Sequence, residues 1–502
     1  MFYENYINNK NVKNIRNKFP YFKGLNADKD KSLIGLEYTP LSYNFDFSDG
    51  LLKDGLGLES LKFKYSTISG EGYKEIDALP DASFVKGMWL FNSWSDQFNV
   101  YRSFLVMYNS YGDFYYNMLH DDRTEVVKME GLNFTEKPII TSYKIDGVDT
   151  LILVSQKDGM YTWQYPSTVK KIENAPAISS MCVYNDRLFV TTYGEKRKIW
   201  YSDDLNPVNF GIDNSSAGYI DLNDEFGKCN KVIWFKGSLY VIRDFNITKI
   251  VASYDNPHDY KLSQLYVSNG KIFENTVCIC GDKIMFLTSD GLYSFDGNKS
   301  SRIETNINCM FEDVDNSSSV GGYSNGYYYL ACNLNYDKEY ITETNIDEHK
   351  FTNNALIRIN ISTKELTIMR GHDVEDLFVI NHLLKNEVCV LVREYGGQYT
   401  TGIINSSGCH YNKVNNKVWY SASTDFGMPD KVKLVKEITL STSQDIMLEV
   451  CTEKCNKTII VSGKDGYQTI KVNVKGKDIS INFISKKSNN CISNPMLLVS
   501  YM

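Results

Sequence analysis

The sequence is poor in proline and histidine and has no long hydrophobic run. Only 10 of its 502 residues are proline and 6 are histidine. No window of 18 or more apolar residues occurs, which excludes a transmembrane helix. The first residues have neither the basic region nor the apolar region of a secretory signal peptide. We therefore expect a protein that is made in the cytoplasm and has no membrane-spanning segment.

A basic tract is also missing. The formal net charge is −7, and lysine and arginine are dispersed along the chain. A protein that grips duplex nucleic acid through its phosphates usually has a basic face or arm. The charge therefore argues against DNA binding as the main task. A surface of like charge would instead let DNA slide past without sticking.

The cysteines do not form a disulfide or zinc pattern. There are 11, an odd number, scattered through predicted strands and turns, which predicts reduced thiols. Two close spacings occur, Cys278 with Cys280 and Cys451 with Cys455. A structural zinc site needs two such pairs, or one pair with two histidines at fixed spacing. We therefore predict no zinc site.

One stretch near the start has a partial calcium-loop register. Asn26, Asp28, Asp30 and Glu37 fall at positions 1, 3, 5 and 12 of an EF-hand loop, but Lys31 stands where that loop needs glycine. A solvated charged loop is the simpler interpretation. Glycine-rich phosphate loops, nucleophile elbows and His-Glu-x-x-His helices are missing as well. We predict no metal, no cofactor and no catalytic residue.

A repeated unit of roughly 45 residues dominates the middle of the chain. Its clearest copy is 281–297, in which two apolar runs flank the turn Ser289-Asp290-Gly291. Asp-Gly is a strong hairpin signal because both central residues of a type I′ turn need positive φ. The related apolar runs include residues 105, 151, 188, 239, 284, 328 and 388. Several short strands per copy at this period are typical of β-propeller blades.

The repeat predicts an all-β protein with a propeller of about seven blades, six and eight being alternatives. We predict three parts, an N-terminal arm and β-hairpin segment (1–83), the propeller (84–427) and a small β-sandwich-like domain (428–502). Within the first part, 36–64 is predicted as strand, turn, strand, with turns at Ser48-Asp49-Gly50 and Lys53-Asp54-Gly55. The second blade is predicted at 139–172. The seventh blade is predicted to end on 416–423, where Lys417-Val-Trp-Tyr420 resembles Lys198-Ile-Trp-Tyr201. The C-terminal part contains six predicted strands, 433–440, 445–451, 457–462, 467–474, 479–483 and 496–500.

One stretch raises an enzymatic alternative. Residues 155–163 resemble the Asp-box turn of sialidase propellers, which is itself a structural device. A sialidase also needs three arginines that converge on the substrate carboxylate and a tyrosine nucleophile. None of the candidate arginines lies in a recognisable context, and ion-pair roles are expected for Arg123, Arg187, Arg197, Arg243, Arg302, Arg358, Arg370 and Arg393. We predict that the protein is not an enzyme.

Four stretches resemble a known family. They are the opening segment 44–57, the pair 186–190 and 199–210, the turn and hairpin 268–297, and the all-β C-terminus. Together they are similar to the β-propeller tail proteins of double-stranded DNA phages, namely the nozzle or tubular-B proteins of short-tailed phages and related tail-stabilisation proteins. The resemblance covers most of the chain, and its motifs are structural.

The resemblance implies a virion protein made in the host cytoplasm. It implies a homo-oligomeric ring, with six subunits favoured, in the tail tube, the nozzle or the head-to-tail connection. Genomic DNA would pass through the ring without specific binding. Other tail, adaptor or portal proteins would be its partners. The family offers no catalytic, cofactor-binding or metal-binding residue to transfer.

Two further classes of function remain open on the sequence. A propeller module that binds a receptor or glycan would need exposed aromatic side chains converging at one end of the domain. A glycosidase would need paired carboxylates about 5–10 Å apart. The sequence cannot place those side chains relative to one another.

Overall fold

The computed structural model describes most of the chain. The described residues are 13–18, 22–29, 34–61, 63–66, 73–76, 79–96, 99–119, 126–167, 169–213, 215–253, 259–267, 270–338, 347–382, 385–394, 397–411 and 413–501. Within these ranges the regular structure is strand, apart from three short 3₁₀ helices at Glu274–Thr276, Asn308–Phe311 and Glu348–Lys350. The all-β prediction is confirmed.

Six consecutive four-stranded sheets occupy 85–370, and each is an antiparallel meander. Sheet 1 contains Val85–Ser95, Val100–Asn109, Asp113–Met118 and Val127–Asn133. Sheet 2 contains Ile139–Ile145, Val148–Ser155, Gly159–Trp163 and Lys170–Ile172. Sheet 3 contains Ile178–Tyr184, Arg187–Thr192, Lys198–Tyr201 and Gly218–Asp221. Sheet 4 contains Cys229–Phe235, Ser238–Arg243, Asn246–Ala252 and Tyr260–Tyr266. Sheet 5 contains Cys278–Cys280, Lys283–Thr288, Gly291–Phe295 and Ser300–Arg302. Sheet 6 contains Val320–Ser324, Tyr327–Cys332, Ala355–Asn360 and Leu366–Arg370.

The second strand of each sheet is buried on both faces. In sheet 2, Leu151 and Leu153 pack with sheet 1, whereas Ile152 and Val154 pack with sheet 3. This alternation follows from the two-residue period of a strand, which sends neighbouring side chains to opposite faces. It also explains why these strands are continuous apolar runs in the sequence.

Sheet 7 combines strands from distant parts of the chain. Asp373–His382, Lys385–Arg393 and Tyr399–Asn405 form its first three strands, and Gly57–Ser60 pairs antiparallel with the third. Two short strands, Cys409–His410 and Lys413–Val414, extend the sheet. Sheet 7 shares a hydrophobic cluster with sheet 6 and another with sheet 1.

The predicted end of the seventh unit is wrong. Lys417–Tyr420 pairs with Leu41–Tyr43 and Ile479–Ser485 rather than with sheet 7. Trp419 is fully buried there, with its ring centroid 5.0 Å from that of Phe22 and 5.9 Å from that of Phe483. An apolar strand pattern specifies burial but not the partner sheet, so the similarity to 198–201 was not a repeat.

Two further sheets contain both ends of the chain. Sheet 8 has the order Lys464–Gly476, Lys433–Thr442, Cys491–Tyr501, Leu52–Asp54 and Phe45–Asp46, and Lys13–Lys18 also pairs with Cys491–Tyr501. Sheet 9 has the order Leu41–Tyr43, Lys417–Tyr420, Ile479–Ser485, Ile446–Thr452 and Asn456–Val461. Both sheets contribute to one hydrophobic cluster, which continues into sheets 5 and 6.

Strand pairing crosses both predicted boundaries, at 83 and at 427. The stretch 36–64, expected as one strand-turn-strand unit, is distributed over sheets 7, 8 and 9. Two small two-stranded sheets complete the regular structure, Gly24–Leu25 with Tyr38–Thr39 and Phe63–Ser66 with Tyr73–Ile76. Residues 1–12 of the predicted arm lie outside the described residues. No helix in the described part of the chain has the length and apolar character needed to cross a bilayer.

Candidate functional site: a polar cleft at the opening segment

Two acidic residues of the partial calcium-loop register, Asp28 and Glu37, are engaged in other contacts. Asp28 accepts hydrogen bonds from the backbone of Cys309 and the side chain of Asn308, and Glu37 accepts one from Lys23. Asp30 lies outside the described residues. All 11 cysteines are free thiols, and no group of three metal-ligating side chains occurs in the parts that the structure describes.

The candidate arginines do not share a site. Arg123 lies outside the described residues, and each of the other seven has an acceptor of its own. Those acceptors are the Ser202 and Ser216 carbonyls for Arg187, Asn223 for Arg197, Asp224 for Arg243, the Asp290 carbonyl for Arg302, Asp46 for Arg358, Glu348 for Arg370 and Asp373 for Arg393. Five of the seven form ion pairs, namely Arg187, Arg243, Arg358, Arg370 and Arg393, whereas the acceptors of Arg197 and Arg302 are neutral.

The opening segment forms a junction between sheets 6, 8 and 9. Asn44 has a φ of 61° and is fully buried. Its amide nitrogen donates to the carbonyls of Arg370 (3.1 Å) and Asn416 (2.6 Å), and its side-chain oxygen accepts from the Arg370 N–H (2.9 Å). Asparagine tolerates the left-handed region better than other side chains do. One residue therefore ties three distant chain segments together.

A cleft opens beside this junction. Two adjacent depressions of about 400 and 260 Å³ share Asp46, Ser48 and Ser406 in their walls. The larger one continues to 489–491 of sheet 8, and the smaller one to sheet 6. Side chains from the opening segment, the end of sheet 7 and the start of the last strand of sheet 8 therefore meet at one place, although the opening segment is more than 300 residues from the other two.

Cations pair with three of the four carboxylates in the walls of the cleft. Arg358 donates to Asp46 at 2.6 Å, and Lys53 contacts Asp49. The pKa of Lys53 is raised by its hydrogen bond to Asp49. The fourth carboxylate, Glu365, has no cation partner among the described residues and accepts a hydrogen bond from Thr363 Oγ1 at 2.9 Å.

Asp54 has the most buried carboxylate of the cleft. Its side chain is 9% exposed and lies 3.1 Å from the ammonium group of Lys417, which is fully buried. It also accepts from the backbone N–H groups of Asn489 (2.6 Å) and Asn490 (3.3 Å). Asp54 therefore fixes the 489–490 wall to the opening segment.

A stacked histidine pair, with His410 buried and His372 half-buried, lies at sheet 7 near the inserted strand Gly57–Ser60. The rings of His372 and His410 are stacked with centroids 4.0 Å apart and planes at 16°. His410 Nε2 lies 2.7 Å from a Glu394 oxygen, and His372 Nε2 lies 2.9 Å from the Asn415 side-chain oxygen. Burial, with a smaller effect of His410, lowers the pKa of His372 to about 3. The hydrogen bond from His410 lowers the pKa of Glu394.

Sequence reasoning identified the Asp-Gly turns of the opening segment but assigned no site to them. Ser48-Asp49-Gly50 and Lys53-Asp54-Gly55 were strand-connecting turns in that interpretation. The density of acidic and hydroxyl side chains in 46–54 was the available signal. The partners in sheets 6, 7 and 8 are far away in sequence, so no local pattern pointed to them.

Comparison with known proteins gives little further information. Neither a family model nor a curated protein matches the sequence. Among solved structures, the chain is similar to PorZ, an essential bacterial surface component of the type-IX secretion system of Porphyromonas gingivalis, with 11% identity and a TM-score of 0.35. The match covers 78% of this chain and 46% of PorZ, so the chain spans less than half the length of that protein.

Proposed function

We propose that sheets 1 to 7 are the blades of a seven-bladed β-propeller and that sheets 8 and 9 form a small β-sandwich beside it. The alternation of buried side chains supports this arrangement. Each sheet shares a hydrophobic cluster with the next, and Leu105 and Met107 of sheet 1 pack with Cys389 and Leu391 of sheet 7. The strand Gly57–Ser60 then acts as a closing strand, which joins the two ends of the ring of blades.

We propose further that the protein is a structural component of a phage virion. In this role it forms a homo-oligomeric ring, with six subunits favoured, in the tail tube, the nozzle or the head-to-tail connection. Its surface lines the channel through which the genome is ejected, and it contacts other tail, adaptor or portal proteins. It is not an enzyme.

The observation that carries this proposal is the structural use of the motif residues. In the opening segment, Asn44 joins three chain segments and Asp54 holds the 489–490 wall. In the second motif, Asp203 accepts hydrogen bonds from Asn209 (3.2 Å) and from the backbone of Ser216 (2.9 Å). Proteins with a structural role are expected to resemble one another mainly at residues that hold chain segments together.

The pairing of the first and last described strands is consistent with a role in resisting mechanical force. Lys13–Lys18 and Cys491–Tyr501, the first and last described strands, pair with each other in sheet 8. The six residue pairs of this ladder would resist tension applied to either strand. The net charge of −7 also suits a channel wall that DNA passes without binding.

The test is the mass of the purified protein in solution, followed by particle imaging. We expect a species at six times the monomer mass of 57.5 kDa, with a central hole, alone or after addition of a portal-type ring. A monomer at every concentration, both alone and with virion components, would refute the ring proposal. A binding module would then be the better interpretation.

A further inference from the structure

We propose that the polar cleft at the opening segment binds a neutral oligosaccharide. This inference goes beyond the structural role proposed above and does not depend on it. It concerns the two adjacent depressions that share Asp46, Ser48 and Ser406. Their volumes of about 400 and 260 Å³ lie near the range of small-molecule sites in proteins.

The charges of the cleft select against an ionic ligand. Asp46, Asp49 and Asp54 are paired with Arg358, Lys53 and Lys417, respectively. Glu365, in the smaller depression, has no cation partner among the described residues, but no group of three metal-ligating side chains that could hold a metal ion occurs there. An anion would have to displace a carboxylate. Because an uncharged ligand leaves all three pairs intact, it avoids the cost of an unpaired charge.

The remaining polar groups fit a ligand rich in hydroxyls. The hydroxyls of Ser48 and Ser406 and the side-chain amide of Asn489 have no hydrogen-bond partner among the described residues. A hydroxyl both donates and accepts, and an amide offers a donor and an acceptor side by side. Adjacent hydroxyls of a sugar ring present the same combination. Paired carboxylates such as Asp46 keep lone pairs that accept further hydrogen bonds.

The cleft also has an apolar surface for the faces of sugar rings. Tyr327 lines the smaller depression and is half-buried. The Arg358 guanidinium lies 5.0 Å from the centroid of its ring, which fixes the ring in place. Sugar C–H groups can pack on the exposed part of that ring. With two depressions in series, the cleft has room for more than one sugar unit, which points to an oligosaccharide.

The proposal is tested by saturation-transfer NMR and calorimetric titration on the full chain. The probes are maltohexaose, cellohexaose and chitohexaose, three neutral oligosaccharides with different linkages. We expect at least one to bind, with an affinity that changes less than twofold between 50 and 300 mM NaCl, because no charge pair is involved. Failure of all three to bind would overturn the proposal.

Variants locate the binding. Ser406→Trp places a large ring where the two depressions meet and is expected to weaken binding at least 10-fold. Asn489→Gly removes the side-chain amide, and the binding affinity is expected to fall 3- to 10-fold. Glycine readily adopts the φ of 56° that Asn489 has. Ser263→Trp, on an exposed edge strand of sheet 4, is the matched control and should bind normally. If Ser406→Trp does not fold, the binding affinity of Asn489→Gly decides whether the ligand occupies the cleft. Wild-type affinity in the folded cleft variants would refute the proposal.

Discussion

The side chain of Asn44 and the backbone of Arg370 exchange two hydrogen bonds, as paired strands do. Arg370 N–H donates to Asn44 Oδ1 at 2.9 Å, and Asn44 Nδ2 donates to the Arg370 carbonyl at 3.1 Å. The outer strand of sheet 6 ends at Arg370. Asn44 therefore continues the hydrogen bonding of that sheet with a side chain, while its own backbone leads into sheet 8.

Replacement of Asn44 by alanine should destabilise the protein by about 2–4 kcal/mol, because it leaves buried backbone groups of Arg370 and Asn416 unsatisfied. Asn325→Ala is the control, since Asn325 also has positive φ (51°) but lies exposed in a turn. Urea unfolding of both variants measures the difference. Equal stability of the two variants would show that the Asn44 hydrogen bonds contribute nothing.

Arg243→Met should lower the free energy of unfolding by about 3–5 kcal/mol. The Arg243 side chain is fully buried, donates to Asp224 at 2.8 Å and to the Gly227 carbonyl at 2.6 Å, and lies at the end of a central strand of sheet 4. Its loss leaves Asp224 without its cation. Arg302→Met, at an exposed arginine of sheet 5, should stay within about 0.5 kcal/mol of the wild type. Thermal unfolding distinguishes them, and similar small effects would contradict a structural role for Arg243.

Gly57→Ala should disturb the strand that completes sheet 7. A Cβ at this position would lie 2.6 Å from the carbonyl oxygen of Cys409, a backbone atom that cannot move aside cheaply. We expect a loss of about 1–3 kcal/mol, as for other overpacked sites. Gly194→Ala is the matched control, because nothing lies within 4 Å of its Cβ, and a slight gain in stability is expected there. Wild-type stability of Gly57→Ala would mean that Gly57–Ser60 is not held as described.

Acidification should destabilise the protein through His372. Its folded-state pKa is lowered to about 3, below the ordinary value of 6.5, because the ring is buried. The unfolded chain therefore takes up the proton first, and stability is lost as the pH falls from about 6.5 towards 3. The contribution is at most about 1.4 kcal/mol per pH unit.

The test of that pH dependence compares urea unfolding at pH 7 and pH 5. His372→Asn should reduce the loss of stability between the two values, whereas the exposed His349→Asn should leave it unchanged. An unaltered pH dependence in His372→Asn would exclude His372 as its source.

The sequence predicted strands correctly where their partner strands are close in the sequence. Sheet 2 was predicted at 139–172, and its strands run from Ile139 to Ile172. Six strands were predicted after residue 428, and six are present. Both results follow from runs of apolar residues bounded by turn residues, which specify a strand through its own side chains. The failures lie at 36–64 and 416–423, where the strands pair with partners hundreds of residues away.

The sequence by itself determined that this protein is all-β, with a regular succession of meanders, because strand period and Asp-Gly turns act within a few residues. Only the tertiary structure decided which sheet receives Gly57–Ser60 and which receives Lys417–Tyr420. It also decided that Asp46, Ser406 and Asn489 line one cleft. An alternating apolar pattern predicts that one face of a strand is buried, but it does not specify which surface covers that face. Partner choice depends on packing and hydrogen bonds between segments that the sequence keeps far apart.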